Sequence, residues 1–288
     1  MKDDNTSINL IRRLIQPWSL VIFLSIVNPL NAQMKIYINT DLEGISGVFQ
    51  FAQTREKGTA LNVQACEYFM GDLAAVIKGL QAGGATEIVV LDGHGNQAII
   101  PHLMVPGATY VTGKPRPGVA NLTGLDESFA GMVMLGFHAM MGTPDGVLSH
   151  TQSSKTENRY WYNGVESGEL AQNAAIAGYF NVPLIMFTGD EATCREARTF
   201  FGEEVVTVAT KRGLAREAAE LYPFEETRQA LFEGAKRAME AIKKCKPYKM
   251  ELPIKGKLEY LDLNSNLTDP KRVTKEKTFD SVLDILKF

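Results

Sequence analysis

The chain has 288 residues, 45% of them hydrophobic, 22% charged and 9% aromatic, a globular composition that excludes a disordered or collagen-like chain. A formal net charge of −3 leaves no basic surface of the kind that binds nucleic acid or anionic membranes. The three cysteines, Cys66, Cys194 and Cys245, are odd in number and lack CxxC spacing, which excludes a disulfide framework and a zinc knuckle.

Residues 1–32 read as an address. Lys2, Arg12 and Arg13 precede an apolar run, LVIFLSIV at 20–27, that is shorter than the roughly 20 residues a membrane span needs. A helix-breaking stretch with the small residue Ala32 follows, the layout of a secretory signal cut after Ala32. The expectation is export to the periplasm and a mature chain free of the membrane. Translation from Met34 would leave the protein cytoplasmic instead.

Beyond this segment, MKIYINT at 34–40 alternates and is rich in β-branched and aromatic residues, which predicts a strand. Leu61, Ala65, Phe69, Leu73, Val76 and Leu80 follow helical spacing until Gly83 and Gly84 stop it. Short apolar runs at 87–91, 132–135 and 183–187 read as buried strands, with an alanine-rich helix at 168–180 before the last and a second helix at 191–201 after it. A strand-like run covers 205–210, a helical pattern 224–244 and an extended, alternating stretch 248–263; the tail beyond Asp262 is polar until its apolar end. Buried strands separated by helices predict an α/β three-layer sandwich with a mostly parallel sheet over residues 33–202. Residues 203–288 are expected to form a smaller C-terminal α+β subdomain.

The polar residues gather at the ends of the expected strands. The first ends in Asp41-Leu42-Glu43-Gly44, the second in Asp92-Gly93-His94-Gly95, the third in Gly136-Phe137-His138 and the fourth in Gly189-Asp190. Open α/β sheets bind ligands at the carboxyl ends of their strands. Asp41, Glu43, His94 and His138 combine oxygen and imidazole donors, a set suited to zinc or a similar divalent ion. A second ion would need a further ligand, and Glu169 at the start of the alanine-rich helix is the best candidate. His150 follows in a loop rich in glycine, serine and threonine, where it is a candidate ligand, base or nucleophile. His102, beside Pro101, is assigned to structure. Asp92 and Asp190 read as helix caps or as groups behind the ligands. Glu166 and Glu169 fit a first helical turn, where they complement the dipole.

These motifs carry a family resemblance. TDLEGISG (40–47), LDGHG (91–95), GKPRP (113–117), LGFHAMMGTPDGVLSHT (135–151), YNGVESGEL (162–170) and VPLIMFTGDEA (182–192) make the chain from Met34 to about Leu263 resemble the zinc-dependent D-aminopeptidases. The resemblance implies two zinc ions per chain. Asp41 would bridge them, Glu43 and His94 would complete one site, and His138 and Glu169 the other. His150 would be the catalytic histidine, described in the family as the nucleophile. The implied substrates are short peptides with an N-terminal D-residue, such as D-Ala-D-Ala, and the implied assembly is a ring-shaped homo-oligomer, a decamer in the type member. Gly93 stands where the family commonly has serine, and the stretch after Pro117 lacks the family's methionines. Two other classes fit the same ligands: another binuclear metallohydrolase, an amidohydrolase or phosphoesterase, and a non-catalytic exported peptide-binding protein.

Overall fold

The computed structural model describes residues 33–115 and 121–288. The expected signal segment, and Arg116 and Pro117 of the GKPRP motif, lie outside the described residues. Among the described residues, no helix is long and apolar enough to cross a membrane.

The chain builds β1 (Lys35–Thr40), the short helix α1 (Phe51–Arg55), the long helix α2 (Ala60–Ala82), β2 (Glu87–Leu91), β3 (Thr109–Val111) and β4 (Gly131–Leu135). Next come β5 (Arg159–Tyr162), β6 (Val165–Glu166), α3 (Glu169–Tyr179), β7 (Leu184–Asp190) and α4 (Glu191–Phe201). The last elements are β8 (Val206–Ala215), β9 (Ala218–Leu221), α5 (Phe224–Ala241), β10 (Ile254–Asp262) and β11 (Lys271–Phe279). A seven-stranded sheet has the order β3-β2-β1-β4-β7-β8-β9, parallel except for its edge strand β9. A four-stranded antiparallel sheet has the order β11-β10-β5-β6.

Alternation along each strand decides which layer it feeds. Ile36 and Ile38 of β1 join Val133 and Leu135 of β4 in a core that α2 and α5 cover with Phe69, Leu73, Leu231 and Ala235. Tyr37, Met132 and Met134 point the other way, into a core closed by α3 and α4. Both faces are thus apolar, as a buried parallel sheet demands. The small sheet buries Tyr160, Tyr162, Ile254 and Phe279 against Ala175 of α3. α3 therefore lies between the two sheets, and its run from Leu170 to Gly178 is buried all round. A helix pressed from two sides needs small residues where the layers approach closest, which accounts for its alanines.

The fold has the expected α/β three-layer character, with a mostly parallel sheet and a smaller antiparallel one. Residues 33–288 form one compact unit. Strands beyond residue 203 enter both sheets: β8 and β9 extend the large one, and β10 and β11 build the small one with β5 and β6. Two local expectations change. The polar tail contains β11, of which only Phe279 is buried, because its partner β10 supplies the apolar side chains. Glu166 lies in β6, not in a helical turn, and its carboxylate pairs with Arg159 Nε across the hairpin at 2.6 Å. The three cysteines are free thiols.

Candidate metal centre

The order of the sheet reverses between β1 and β4: β2 lies on one side of β1, and the chain returns to the other side with β4 and β7. Such a switch point opens a crevice beyond the strand ends. Register levels those ends, pairing Asn39 with Leu91 and Thr40 with Leu135. The residues that follow, Asp41, Asp92 and Gly136, therefore leave the sheet side by side. Asp41 is held at the brink, its N–H donating to Leu135 O at 2.8 Å. Gly93 is needed here, since a Cβ at this position would lie 2.3 Å from Thr40 O and 2.6 Å from Asn39 Oδ1.

The two oxygens of Asp41 face two different histidines. Oδ1 lies 2.9 Å from His94 Nδ1, which is also 3.2 Å from Glu43 Oε2. Oδ2 lies 3.3 Å from His138 Nε2, which is also 3.5 Å from Glu169 Oε1. The result is two trios of donors that share one carboxylate. Four ligands at about 2.0–2.1 Å from a tetrahedral zinc stand ~3.3 Å apart; the His94 trio is slightly tighter at 2.9 and 3.2 Å, and the His138 trio stands at 3.3 and 3.5 Å.

Backbone carbonyls select the tautomer of each ring. His94 Nε2 lies 3.1 Å from Thr54 O, His138 Nδ1 3.0 Å from Ala139 O and His150 Nδ1 2.8 Å from Leu148 O. A carbonyl oxygen only accepts, so each of these nitrogens carries the N–H. The opposite nitrogen of every ring is then a bare acceptor in the neutral imidazole, the state and tautomer a metal ligand requires. Glu43 Oε2 and His138 Nε2 are buried with no hydrogen-bond partner. Buried, unpaired polar atoms of opposite donor trios are what a divalent cation would satisfy.

Charge follows the same pattern. Burial opposes ionisation of Asp41, but the imidazoles of His138 and His94 beside it outweigh that and hold the carboxyl well below its usual range. Glu43 and Glu169 are lowered in the same way, burial being overcome for Glu43 by His94 and for Glu169 by His138. His94 and His138 are raised well above the ordinary imidazole value: burial works against their protonation, and the neighbouring carboxylates prevail. In this buried cluster a proton and a metal ion compete for the same lone pairs.

His150 differs. Its ring stacks on His138, centroids 3.8 Å apart and 14° from parallel, and its Nε2 is 3.9 Å from Glu169 Oε1. Burial, then the neighbouring charge of His138, push its pKa down. It stays a neutral base beside the trios. The carbonyl that fixes its tautomer belongs to Leu148, held in the left-handed region at φ 53°. Donor atoms of His138, His150 and Glu169 lie within 4.8 Å of one another, so His150 also stands within reach of the second trio.

All six residues singled out at strand ends and in the loop, Asp41, Glu43, His94, His138, His150 and Glu169, meet here. The others stand back. His102 sits in a 3-10 turn, Pro101–Leu103. Asp190 caps α4 by accepting from Thr193 N at 2.7 Å. Asp92 caps no helix and braces the loop after β2 by accepting from Ala98 N and from Thr112 Oγ1. The anchors missed by sequence are Thr54, Ala139 and Leu148, which act through backbone carbonyls and leave no side-chain signature. The loops enclose a cavity of about 350 Å³, lined also by Arg55, Asn96, Lys114, Gln152 and Asn173.

Shared-carboxylate donor trios with a spare neutral imidazole, set at the switch point of an α/β sheet, define the class of metal-dependent hydrolases. The D-aminopeptidase family, peptidase family M55, matches residues 34–266. A D-aminopeptidase of Bacillus subtilis (strain 168) is 31% identical over 222 residues, which cover 74% of this chain and 77% of that protein. The solved structure of the Zn-dependent D-aminopeptidase DppA from Bacillus subtilis, described as a self-compartmentalizing protease, superposes with a TM-score of 0.78 at 26% identity, over 88% of this chain and 94% of its own. The chain belongs to the D-aminopeptidase family.

Proposed function

We propose that the protein is a zinc aminopeptidase that removes an N-terminal D-residue from short peptides of the D-Ala-D-Ala type, with two zinc ions per chain. The observation that carries this reading is Asp41, whose two oxygens face separate acid–imidazole pairs. Asp41, Glu43 and His94 would hold one ion, and Asp41, His138 and Glu169 the other. Zinc bound there supplies Lewis acidity that polarises a carbonyl and acidifies water.

The residues supply the rest. His150, neutral and tied through Nδ1 to Leu148 O, presents Nε2 to the cavity floor. That lone pair can take a proton from attacking water and return it to the leaving amine, or attack the carbonyl directly. With two zinc ions the charge of the three carboxylates would be fully offset, so the α-amino group would be held as a neutral amine at the metal, while Arg55 and Lys114 on the cavity wall suit the carboxylate at the other end of a dipeptide. Among the described residues neither cation has an ion-pair partner. The D preference rests on the likeness to the Bacillus subtilis D-aminopeptidase.

Purified protein, prepared without chelator, is expected to contain close to two zinc per chain and to release D-alanine from D-Ala-D-Ala faster than L-alanine from L-Ala-L-Ala. Elemental analysis that finds no metal sinks the metal reading. Two zinc with phosphate-ester hydrolysis and no peptidase activity makes it a different metallohydrolase.

The assembly is proposed to be a ring-shaped homo-oligomer, supported by the self-compartmentalizing Bacillus relative. Export with cleavage after Ala32 is proposed from the layout of residues 1–32.

A further inference from the structure

Lys211 is fully buried in β8, and the chemistry above does not use it. A lysine is almost never this buried unless its charge is met. Its Nζ donates to three backbone carbonyls, Glu43 O at 2.6 Å, Ile45 O at 2.8 Å and Val48 O at 2.5 Å. An ammonium has three protons and no acceptor, so the three bonds use it completely. The preceding residue adds a fourth tie, Thr210 Oγ1 donating to Gly44 O at 2.7 Å. From the opposite side Gly44 N donates to Gly136 O at 2.7 Å. The turn after β1 is thus gripped between the end of β4 and two consecutive residues of β8.

This grip is selective among the metal-facing residues. Asp41 is placed by the strand ladder through Leu135 O. His138 is placed by the end of β4, and Glu169 by α3. Glu43 lies two residues beyond the ladder, and its own carbonyl is one of the three that Lys211 holds.

We infer that Lys211 is a positioning residue for Glu43: by binding the Glu43, Ile45 and Val48 carbonyls it fixes the turn that presents the Glu43 carboxylate to Asp41 and His94, and it leaves the His138–Glu169 half untouched. The inference rests on the two-ion reading above. A pin that only stabilises the fold would weaken both halves alike; a positioning residue weakens one.

The test compares the wild-type chain with Lys211→Met and Thr210→Val. Each is titrated with zinc against a competing chelator, and thermal melting of the metal-free protein establishes that it is folded. Lys211→Met is expected to lower the affinity for one of two ions by about 10- to 100-fold, the usual effect of removing a group that orients a ligand, and to leave the other unchanged. Thr210→Val shifts the same ion by less. A folded variant that keeps both ions at wild-type affinity, or loses both to the same extent, overturns the inference. If Lys211→Met does not melt cooperatively, Thr210→Val decides between the same outcomes. A wild-type chain that takes up no zinc overturns the two-ion reading itself, and this inference with it.

Discussion

His150 differs from His94 and His138 in standing away from Asp41, and substitution should separate their roles. His150 Nε2 faces Glu169 at 3.9 Å and belongs to neither trio around Asp41. His150→Ala is expected to lower kcat by about 10²–10⁴-fold with zinc content unchanged, measured by D-alanine release alongside elemental analysis. Loss of metal in this variant would make His150 a ligand instead. pH acts on the other two rings. His94 and His138 have raised pKa values in the metal-free protein, so at neutral pH they bind protons that an incoming ion must displace. Zinc affinity therefore falls as pH falls, by about tenfold per pH unit for each proton displaced, and levels off above the raised imidazole values. Chelator competition across the neutral range checks this, and a flat profile contradicts it. At this scale the sequence was informative where a candidate ligand side chain follows a strand. Asp41, Glu43, His94 and His138 all do so. Lys211 was invisible because a lysine in a strand normally faces water, and only the fold shows that this one turns inward.

α3 carries Glu169 on its first turn and packs Ala171 on the large-sheet side and Ala175 on the small-sheet side. A larger side chain has nowhere to go. Ala175→Leu is expected to cost about 1–3 kcal/mol in denaturant unfolding, and to weaken zinc binding as the helix and its Glu169 shift. Unchanged stability would mean that the small sheet yields. The alanine-rich pattern announced this helix but not its two-sided burial, since periodicity fades where every face is apolar. Other elements escaped the sequence for plain reasons. α1 has five residues, too few for a periodic signal, and yet Thr54 within it orients His94. β11, KRVTKEKTF, is largely exposed, so its apolar alternation is absent and only its pairing with β10 defines it.

The whole molecule was legible to the extent that its strands are buried on both faces. β1, β2, β4 and β7 read directly as apolar runs, and from them the parallel sheet follows. What was not legible is the mixing of distant segments in the small sheet, where β5 pairs with β10 nearly a hundred residues later. Antiparallel pairing over such a span has no local sequence signal. At this scale two outcomes are expected. Analytical ultracentrifugation should find the mature chain as a large closed oligomer, and a monomer at micromolar concentration would contradict the ring. Mass spectrometry of the protein from its native host should find Gln33 at the N-terminus, and a chain starting at Met1 or Met34 would contradict cleavage.

The three carbonyl anchors of the imidazoles carry a consequence for supply. Thr54, Ala139 and Leu148 orient the rings without help from an ion. The pocket is consequently shaped before loading, and little of the binding energy is diverted to ordering the chain. Protein stripped of metal is therefore expected to keep its ring orientations and to regain activity when zinc is restored.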